Sequence, residues 1–365
     1  MRFERRRRRW PSRRTWLIAS GAIVGLLLVG GALSSARGKS SPAGPLPPFP
    51  AASTDPHQPP LAFTYFYYWY DLPGGTHSGA LTDQPAEPNA SYKDVGWFEK
   101  QLSDMSDAGI DVALADYWGP AEPSSDIGLT NMGQAYHALT SAGKPAPKIA
   151  MFVDTGLVGR WPEGQRDFTK AENQQRFYDL VHTFYNELPR DEWAMVDNRP
   201  VVWMWASWFN ITFDQTFFDY LSAHFQADFG VRPYIVAEAS WRFATSGGKA
   251  DPNRPIKIDN FYVWGAALNG FDGSGAGVAE VGPGYDERQL DGPGRSGRFA
   301  PRDDGSFYEE QFADALASKR QFIAIETWNE FHEASDVADS VPYGRTYISL
   351  TRRYLDRFKA AWPTR

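Results

Sequence analysis

The chain contains no cysteine among its 365 residues. This absence excludes disulfide bonds, thiolate metal sites and a cysteine nucleophile. It does not exclude an extracellular location, because a core built from about 300 residues is stable without disulfides.

Three motifs of other enzyme classes are also missing. No G-x-S-x-G elbow is present for an esterase, and no glycine-rich phosphate loop follows the first predicted strand. An HExxH zinc motif would begin at His332, but Asp336 stands where its second histidine is needed. We therefore expect no metal and no cofactor.

Basic residues are concentrated at the N-terminus. Residues 1–40 contain ten lysines or arginines and one acid, so the remainder carries a formal net charge of −16. An acidic domain repels nucleic acid, so we predict no nucleic-acid partner.

The N-terminal pattern is typical of a targeting segment. A basic stretch over residues 1–15 precedes residues 16–33, which contain no charge. Basic residues remain cytoplasmic, so the rest of the chain is expected outside the cytoplasm. The apolar run fits a signal anchor better than a cleaved signal peptide, since it is long for the latter. Residues 34–60 are proline-rich and predict a semi-rigid linker.

Residues 61–365 alternate between strand-like and helix-like stretches. Strands are predicted at 61–70, 110–115, 149–153, 201–205, 234–237, 261–264, 278–281 and 322–325. Amphipathic helices fall between most of them, and this alternation indicates a parallel sheet, closed or open. Without a phosphate loop, a closed (β/α)8 TIM-type barrel of the α/β class is favoured over a doubly wound fold.

Local signals predict several helix ends. Gly109 and Gly143 are placed to end helices, as glycines with positive φ commonly do. Thr169 with Glu172, and Ser306 with Glu309, have the spacing of capping boxes at helix starts.

Acidic and aromatic residues recur where the predicted strands end. In a barrel these ends meet at one mouth, so we expect the side chains to converge there. The candidate substrate-binding residues are Tyr68, Trp69, Asp116, Trp118, Asp154, Glu238, Trp241, Tyr262, Trp264, Asn329 and His332. Each also has a structural interpretation: the aspartates could cap helices, and the tryptophans could pack at the rim.

The segment ETWNEFHEASD, residues 326–336, follows the last predicted strand. It places Glu330 and Glu333 three residues apart beside Trp328 and His332. Glycoside hydrolysis uses one acid to protonate the leaving oxygen and a second carboxylate at the anomeric carbon. We take Glu330 and Glu333 as the candidate catalytic pair, with two solvated loop carboxylates as the alternative.

Several segments resemble glycoside hydrolase family 99, the endo-α-mannosidase family. TWNEFHEAS followed by VPYG resembles the segment that ends that family's last strand. Weaker likenesses are FYYWY at 66–70, DAGIDVALADYWG at 107–119, FYVWG at 261–265 and VGPGYDER at 281–288. Together they cover most of residues 62–360.

The resemblance implies a (β/α)8 barrel that cleaves internal α-mannosidic bonds with retention. By position, Glu330 would be the base that deprotonates the sugar 2-hydroxyl, which then forms a 1,2-anhydro sugar. Glu333 would be the acid that protonates the leaving oxygen and later activates water. The chain departs from the family at Phe331, Ala334 and Ala338, where tryptophan, glycine and often glutamate are expected.

The sequence therefore predicts a membrane-tethered, monomeric glycosidase domain whose partner is a carbohydrate. Two alternatives remain open. One is a tethered glycan-binding barrel without turnover, and the other is a conventional glycosidase that uses Glu238 as acid and Glu330 as nucleophile.

Overall fold

The computed structural model describes residues 47–50, 57–290 and 295–362. The predicted basic segment, the predicted anchor at 16–33 and most of the predicted linker lie outside these residues. Within the described ranges, no helix is long and apolar enough to cross a membrane.

Eight parallel strands form the centre of the fold. In chain order they are β1 (Leu61–Phe66), β2 (Val112–Tyr117), β3 (Lys148–Val153), β4 (Arg199–Met204), β5 (Tyr234–Glu238), β6 (Asn260–Tyr262), β7 (Val278–Val281) and β8 (Phe322–Ile325). Ladders join β7 to β8, β8 to β1, and then each strand to the next as far as β6. The ring is thus nearly closed, and the predicted TIM-type barrel is confirmed.

In the described part of the chain, five longer helices lie between the strands and a sixth follows the last strand. They are α1 (Val95–Asp107), α2 (Pro123–Ser141), α3 (Ala171–Glu187), α4 (Gln215–Phe229), α5 (Ser306–Ser318) and α6 (Thr346–Ala360). Short helical turns occur at Gly156–Gly159, Glu163–Gln165, Arg190–Glu192, Ala239–Trp241, Ala266–Asn269 and Asp303–Gly305. Met195–Val196 pairs with β4, and two hairpins join Phe243–Ser246 to Lys249–Pro255 and Tyr285–Asp286 to Phe299–Ala300.

The barrel interior is filled by large aromatic side chains. The Tyr65 ring of β1 lies 4.9 Å from the Phe152 ring and 4.8 Å from the Trp264 ring, between ring centroids. Its hydroxyl donates to Glu280 of β7 at 2.7 Å and accepts from the Trp203 indole at 3.2 Å. Tyr65 therefore ties opposite sides of the barrel together below the mouth.

The helix-ending glycines are confirmed, and their geometry explains them. Gly109 has φ 83°, its N–H donates to the Ser106 carbonyl, and the Ile110 N–H donates back to Met105. This pair of bonds is a Schellman motif, which satisfies the last carbonyls of α1. Gly143 has φ 72° and ends α2.

Both predicted capping boxes are wrong. Helix α3 begins after Lys170, because the Thr169 hydroxyl instead donates to the Asp167 carboxylate at 2.6 Å. Helix α5 begins after Gly305, and the Ser306 hydroxyl donates to the carbonyl of Asp303 at 2.9 Å. In both cases a preceding turn takes the hydroxyl that the box requires.

Predicted strand β1 is also shorter than expected, ending at Phe66 instead of residue 70. The ladder that joins β1 to β8 ends at Thr64, and the ladder that joins it to β2 ends at Phe66. Of the four residues that follow, Tyr67, Trp69 and Tyr70 contribute to the candidate site, whereas Tyr68 packs against α1.

We predict that Gly282→Ala lowers the free energy of unfolding by about 1–3 kcal/mol, because small-to-large changes in tight packing cost this much. An added Cβ would lie 2.5 Å from the Ala267 Cα and 2.5 Å from the Glu326 carbonyl oxygen. Gly164→Ala is the matched control, since nothing lies within 4 Å of its Cβ position. Urea unfolding measures both; equal stability of the two variants would contradict the close approach.

Candidate active site

Asn329 fixes the loop after β8 to the end of β1. Its side-chain oxygen accepts from the Tyr67 N–H at 2.9 Å, and its amide nitrogen donates to the Tyr67 carbonyl at 2.7 Å. The Trp328 indole donates to Gln101 of α1 at 2.7 Å. These bonds are buried, so Glu330 is held in one position relative to the barrel.

Glu330 pairs with His332 on the same loop. His332 Nδ1 lies 2.8 Å from Glu330 Oε1, and the His332 backbone N–H donates to the same oxygen at 3.0 Å. The imidazole stacks on Tyr70, with ring centroids 5.6 Å apart and planes 13° from parallel. The carboxylate is buried and oriented, while the histidine remains partly open to solvent.

Glu333 forms an ion pair with an arginine from a distant segment. Arg295 Nη1 lies 2.5 Å from Glu333 Oε1, and both side chains are almost fully buried. Burial raises the pKa of Glu333, the Arg295 charge lowers it, and the Glu330 charge raises it again; the net direction is upward. Burial and Glu330 thus favour the protonated form that a general acid requires.

Asp116 and Asp154 lie at the ends of the neighbouring strands β2 and β3. The Trp118 indole donates to Asp116 Oδ2 at 3.0 Å, whereas Asp116 Oδ1 has no hydrogen-bond partner among the described residues. The Gly156 N–H donates to Asp154 Oδ1 at 2.7 Å. Burial raises the pKa of both carboxyls, that of Asp154 to about 7.

The four acids converge on one phenol, Tyr67. Burial raises the pKa of Tyr67 well above its usual value, and negative charges then raise it further. Those charges belong to Asp116, Glu330, Asp154 and Glu333. The charges of these four carboxylates therefore all act on the phenol of Tyr67.

Aromatic and polar side chains form one wall of the mouth. Trp69 stacks on His77, with ring centroids 4.8 Å apart and planes 8° from parallel. The Arg160 guanidinium lies 4.3 Å from the Trp118 ring centroid. A cavity is lined by these four residues together with Thr76, Glu122 and Ser124. Flat aromatic faces beside hydrogen-bonding groups are suited to a sugar ring.

Other predicted site residues lie deeper in the barrel. Trp264 contacts Tyr65 and lines a small cavity with Glu326 and Glu333. Tyr262 is fully buried, and its hydroxyl donates to the Met204 carbonyl at 3.1 Å. Glu238 accepts from the Ser240 N–H at 2.7 Å, which caps the turn Ala239–Trp241.

Two predicted site residues are not at the mouth. Tyr68 is packed outside the barrel, where its ring lies 6.0 Å from Phe98 of α1. Trp241 is fully buried against Phe213 and the α4 residue Phe217, with centroids 4.4 Å and 5.8 Å away. Tyr68 faces the helix layer because side chains of an extended chain alternate between its two sides. Trp241 instead ends the helical turn Ala239–Trp241 and packs against α4.

Several residues of the site were not predicted. Tyr67, His77, Arg160, Arg295 and Glu326 all line the mouth or contact its carboxylates. Glu326 accepts from the backbone N–H groups of Gly265 and Ala266, and burial raises its pKa to about 8. Alternation along 65–69 was a signal for Tyr67, but nothing in the sequence links Arg295 to Glu333.

No metal centre is indicated by these side chains. Over residues 47–50, 57–290 and 295–362, no group of three or more histidine or acidic residues is arranged to hold an ion. The chemistry available is proton transfer and charge stabilisation by carboxyls of raised pKa, a combination typical of catalytic sites.

Comparison with known proteins identifies a family and a fold. The family model described as "Domain of unknown function (DUF5010)" matches residues 64–364. No curated protein matches the sequence.

Three solved structures are similar to the barrel. A GH99 endo-alpha-mannosidase from Bacteroides thetaiotaomicron is 15% identical, with a TM-score of 0.59, covering 85% of this chain and 100% of its own. Its complex with bis-tris-propane gives 18% identity, a TM-score of 0.60, and coverages of 85% and 99%. A "glycoside hydrolase-like protein" is 12% identical, with a TM-score of 0.60, covering 85% of this chain and 96% of its own. At these identities the likeness shows the fold, and at that level the predicted resemblance to family 99 is confirmed.

We predict that Asp154→Asn stabilises the protein more at pH 8 than at pH 4. The folded pKa is raised to about 7 from 3.8, so the native state holds a proton that the unfolded state has lost. Stability from this group is therefore full below about pH 4 and is lost as the pH rises towards 7. Asparagine does not titrate, so the difference between variant and wild type should grow by on the order of 2–4 kcal/mol.

Urea unfolding at the two pH values measures this difference. Asp314→Asn, on the exposed face of α5, is the matched control and should change stability by less than about 0.5 kcal/mol at either pH. A difference for Asp154→Asn that does not depend on pH would show that its carboxyl is ionised throughout.

Proposed function

The chain belongs to the family described as a domain of unknown function, DUF5010, and we propose that it is a retaining glycoside hydrolase. One observation carries the proposal. Glu330 and Glu333 are both buried at the carboxyl end of the barrel, and their charges act on each other and on Tyr67. Paired carboxyls in different environments are the requirement for acid–base cleavage of a glycosidic bond.

The environments of the two glutamates support different roles. Glu333 has a raised pKa, as a group needs in order to protonate the leaving oxygen near neutral pH. Glu330 carries two hydrogen-bond contacts from His332, which orient it as a base. We propose that Glu330 deprotonates the sugar 2-hydroxyl and that Glu333 is the acid.

The proposed substrate is an α-linked polysaccharide or glycan, with α-mannose as the first sugar to test. Support comes from the two GH99 endo-alpha-mannosidase structures, whose barrels this chain resembles. In α-mannose the 2-hydroxyl and the leaving group are both axial and opposed, so internal displacement is in line. Trp69 and Trp118 provide flat surfaces beside the carboxylates for neighbouring sugars.

The contacts of Glu238 argue against its being the acid of a conventional pair. Its carboxylate accepts from the Ser240 N–H at 2.7 Å and caps a turn. Its charge acts on Tyr262, which is fully buried within the barrel. A binding barrel without turnover remains the second candidate, because the same aromatic wall would bind glycan without cleaving it.

We also propose that residues 16–33 anchor the chain and that the barrel lies outside the cytoplasm. The proposal rests on the basic residues that precede this uncharged stretch and on the proline-rich residues that follow. The barrel would then act on glycans at the cell surface.

We predict that wild type releases reducing ends from α-mannans or another α-glycan, and that Glu330→Gln and Glu333→Gln each lower kcat by about 100- to 10,000-fold. General acid–base groups contribute about this much. Glu310→Gln, on the exposed face of α5, is the matched control. Glycan binding without cleavage by wild type would support the binding barrel, and full activity of either variant would refute the assigned pair.

For the anchor, we predict that the full chain sediments with membranes and that a chain lacking residues 1–33 does not. Protease added to intact cells or spheroplasts should digest the barrel, while a cytoplasmic marker survives. Equal solubility of both chains would contradict the anchor.

A further inference from the structure

We propose that Arg295 is a positioning residue for Glu333 and sets its charge, and that Glu287 in turn holds Arg295 in place. This inference rests on the proposed glycoside hydrolase function for its catalytic consequence. Its structural content, the dependence of the Glu333 proton on Arg295, stands on the contacts alone.

Arg295 bridges two buried carboxylates. Its Nη1 lies 2.5 Å from Glu333 Oε1 and 3.0 Å from Glu287 Oε2, and 3.2 Å from the Tyr285 hydroxyl. The Arg295 side chain is 8% exposed, that of Glu333 is 6% exposed and that of Glu287 is fully buried. A buried ion pair of this kind is strongly directional, because neither charge has water as a substitute partner.

The carboxyl group of Glu287 is held in its ionised form by the groups around it. Burial alone would raise its pKa, but hydrogen bonds from Arg298, from the backbone N–H groups of Ser296 and Arg298, and from Arg295 hold the pKa of Glu287 well below its usual range. The Arg298 guanidinium donates through Nε at 2.7 Å and through Nη2 at 2.6 Å. A carboxylate with so many donors anchors the hairpin and leaves Arg295 directed at Glu333.

Among the charged groups around Glu333, Arg295 is the one that counteracts the rise in the pKa of Glu333 through a direct contact. Titratable and charged groups acting with it are Glu330 on its own loop, Glu326 at the end of β8, Tyr67 after β1, and Tyr285, Arg295 and Arg298 from the hairpin. Among these groups only the two arginines are cations. Of the two, Arg295 donates to the Glu333 carboxylate, whereas the guanidinium of Arg298 donates to Glu287.

Without Arg295, burial and Glu330 would keep Glu333 protonated to higher pH. A group that gives a proton to the leaving oxygen and later takes one from water must lose and regain it within the working range. Arg295 opposes the effect of burial, so it lets Glu333 return to the carboxylate form. Arg295 need not touch the sugar to do this.

The test compares the pH dependence of kcat/KM in full-length wild type, Arg295→Gln and Arg295→Lys. Removing the positive charge raises the pKa of Glu333, so the carboxyl stays protonated to higher pH. The alkaline limb of the pH profile of kcat/KM should therefore move to higher pH. We expect kcat to fall by at least about 10-fold with KM changed less.

Arg295→Lys keeps a positive charge, so it should return the alkaline limb of the pH profile towards that of wild type. Arg288→Gln is the matched control, since Arg288 is exposed and pairs with Asp286.

An unmoved pH profile with wild-type kcat in Arg295→Gln would overturn the proposal. So would a loss of activity that Arg295→Lys does not relieve at any pH, because a structural role alone would produce it. If the acidic limb of the pH profile moves instead, Arg295 still sets the charge of Glu333, but Glu333 would be the base and Glu330 the acid.

A second measurement separates this inference from the proposed function. Carboxyl carbon NMR with labelled glutamate, assigned by loss of a signal in Glu333→Gln, reports the Glu333 titration in a protein of any activity. Arg295→Gln should raise the midpoint by about one pH unit or more. Loss of the Glu287 anion alone would lower the midpoint, so a rise in Glu287→Gln shows that Arg295 no longer pairs with Glu333, and a fall contradicts the holding role of Glu287. An unchanged midpoint refutes the inference even in an active enzyme, and a raised midpoint supports it even when no glycan is cleaved.

Discussion

The candidate site depends on one amide side chain paired with the main chain. Strand β8 ends at Ile325, yet Asn329 offers the Tyr67 backbone the same donor and acceptor that another strand would offer. The Tyr70 hydroxyl then donates to the Asn329 carbonyl at 2.9 Å. Because these bonds are buried and reciprocal, the loop cannot rotate without leaving polar groups unpaired. The carboxylates that follow are therefore oriented before any ligand binds, which is what precise chemistry requires.

A mouth built this way concentrates negative charge where water is scarce. Burial is the largest influence on the pKa values of Asp116, Asp154, Glu326 and Glu333, and in each it acts upward. Protons therefore neutralise part of the charge near neutral pH, and Arg295 neutralises another part. Burying these carboxyls costs stability, but it raises their pKa values so that they can gain and lose a proton. An acid of ordinary pKa would instead remain ionised.

The sequence was sufficient to predict the barrel and to place Glu330 and Glu333 after its last strand, because both depend on local patterns. The catalytic roles of the two glutamates stay predictions. Short, mostly apolar stretches marked the strands, and β7 and β8 have the bounds predicted for them. The errors at Tyr68 and Trp241 came from treating every residue at a strand end as facing the mouth. Since Tyr65 and Trp69 face inwards, alternation assigns Tyr67 to the mouth and Tyr68 to the helices. Arg295 was beyond prediction, because it reaches Glu333 across 38 residues through a hairpin of irregular sequence.

The three departures from the family 99 motif do not have equal weight. Ala334 has φ 47°, the left-handed conformation that glycine adopts most easily, so the backbone shape remains although the residue differs. Phe331 is buried and packs edge-on against Tyr70 at 5.7 Å, so it retains an aromatic contact. Ala338 is different: it is buried, at a position where the resemblance predicts a glutamate. The first two changes preserve the loop that holds Glu330 and Glu333. At Ala338 the side chain is a methyl group, but its backbone N–H donates to the Trp328 carbonyl at 2.8 Å, so this position also holds the loop in place.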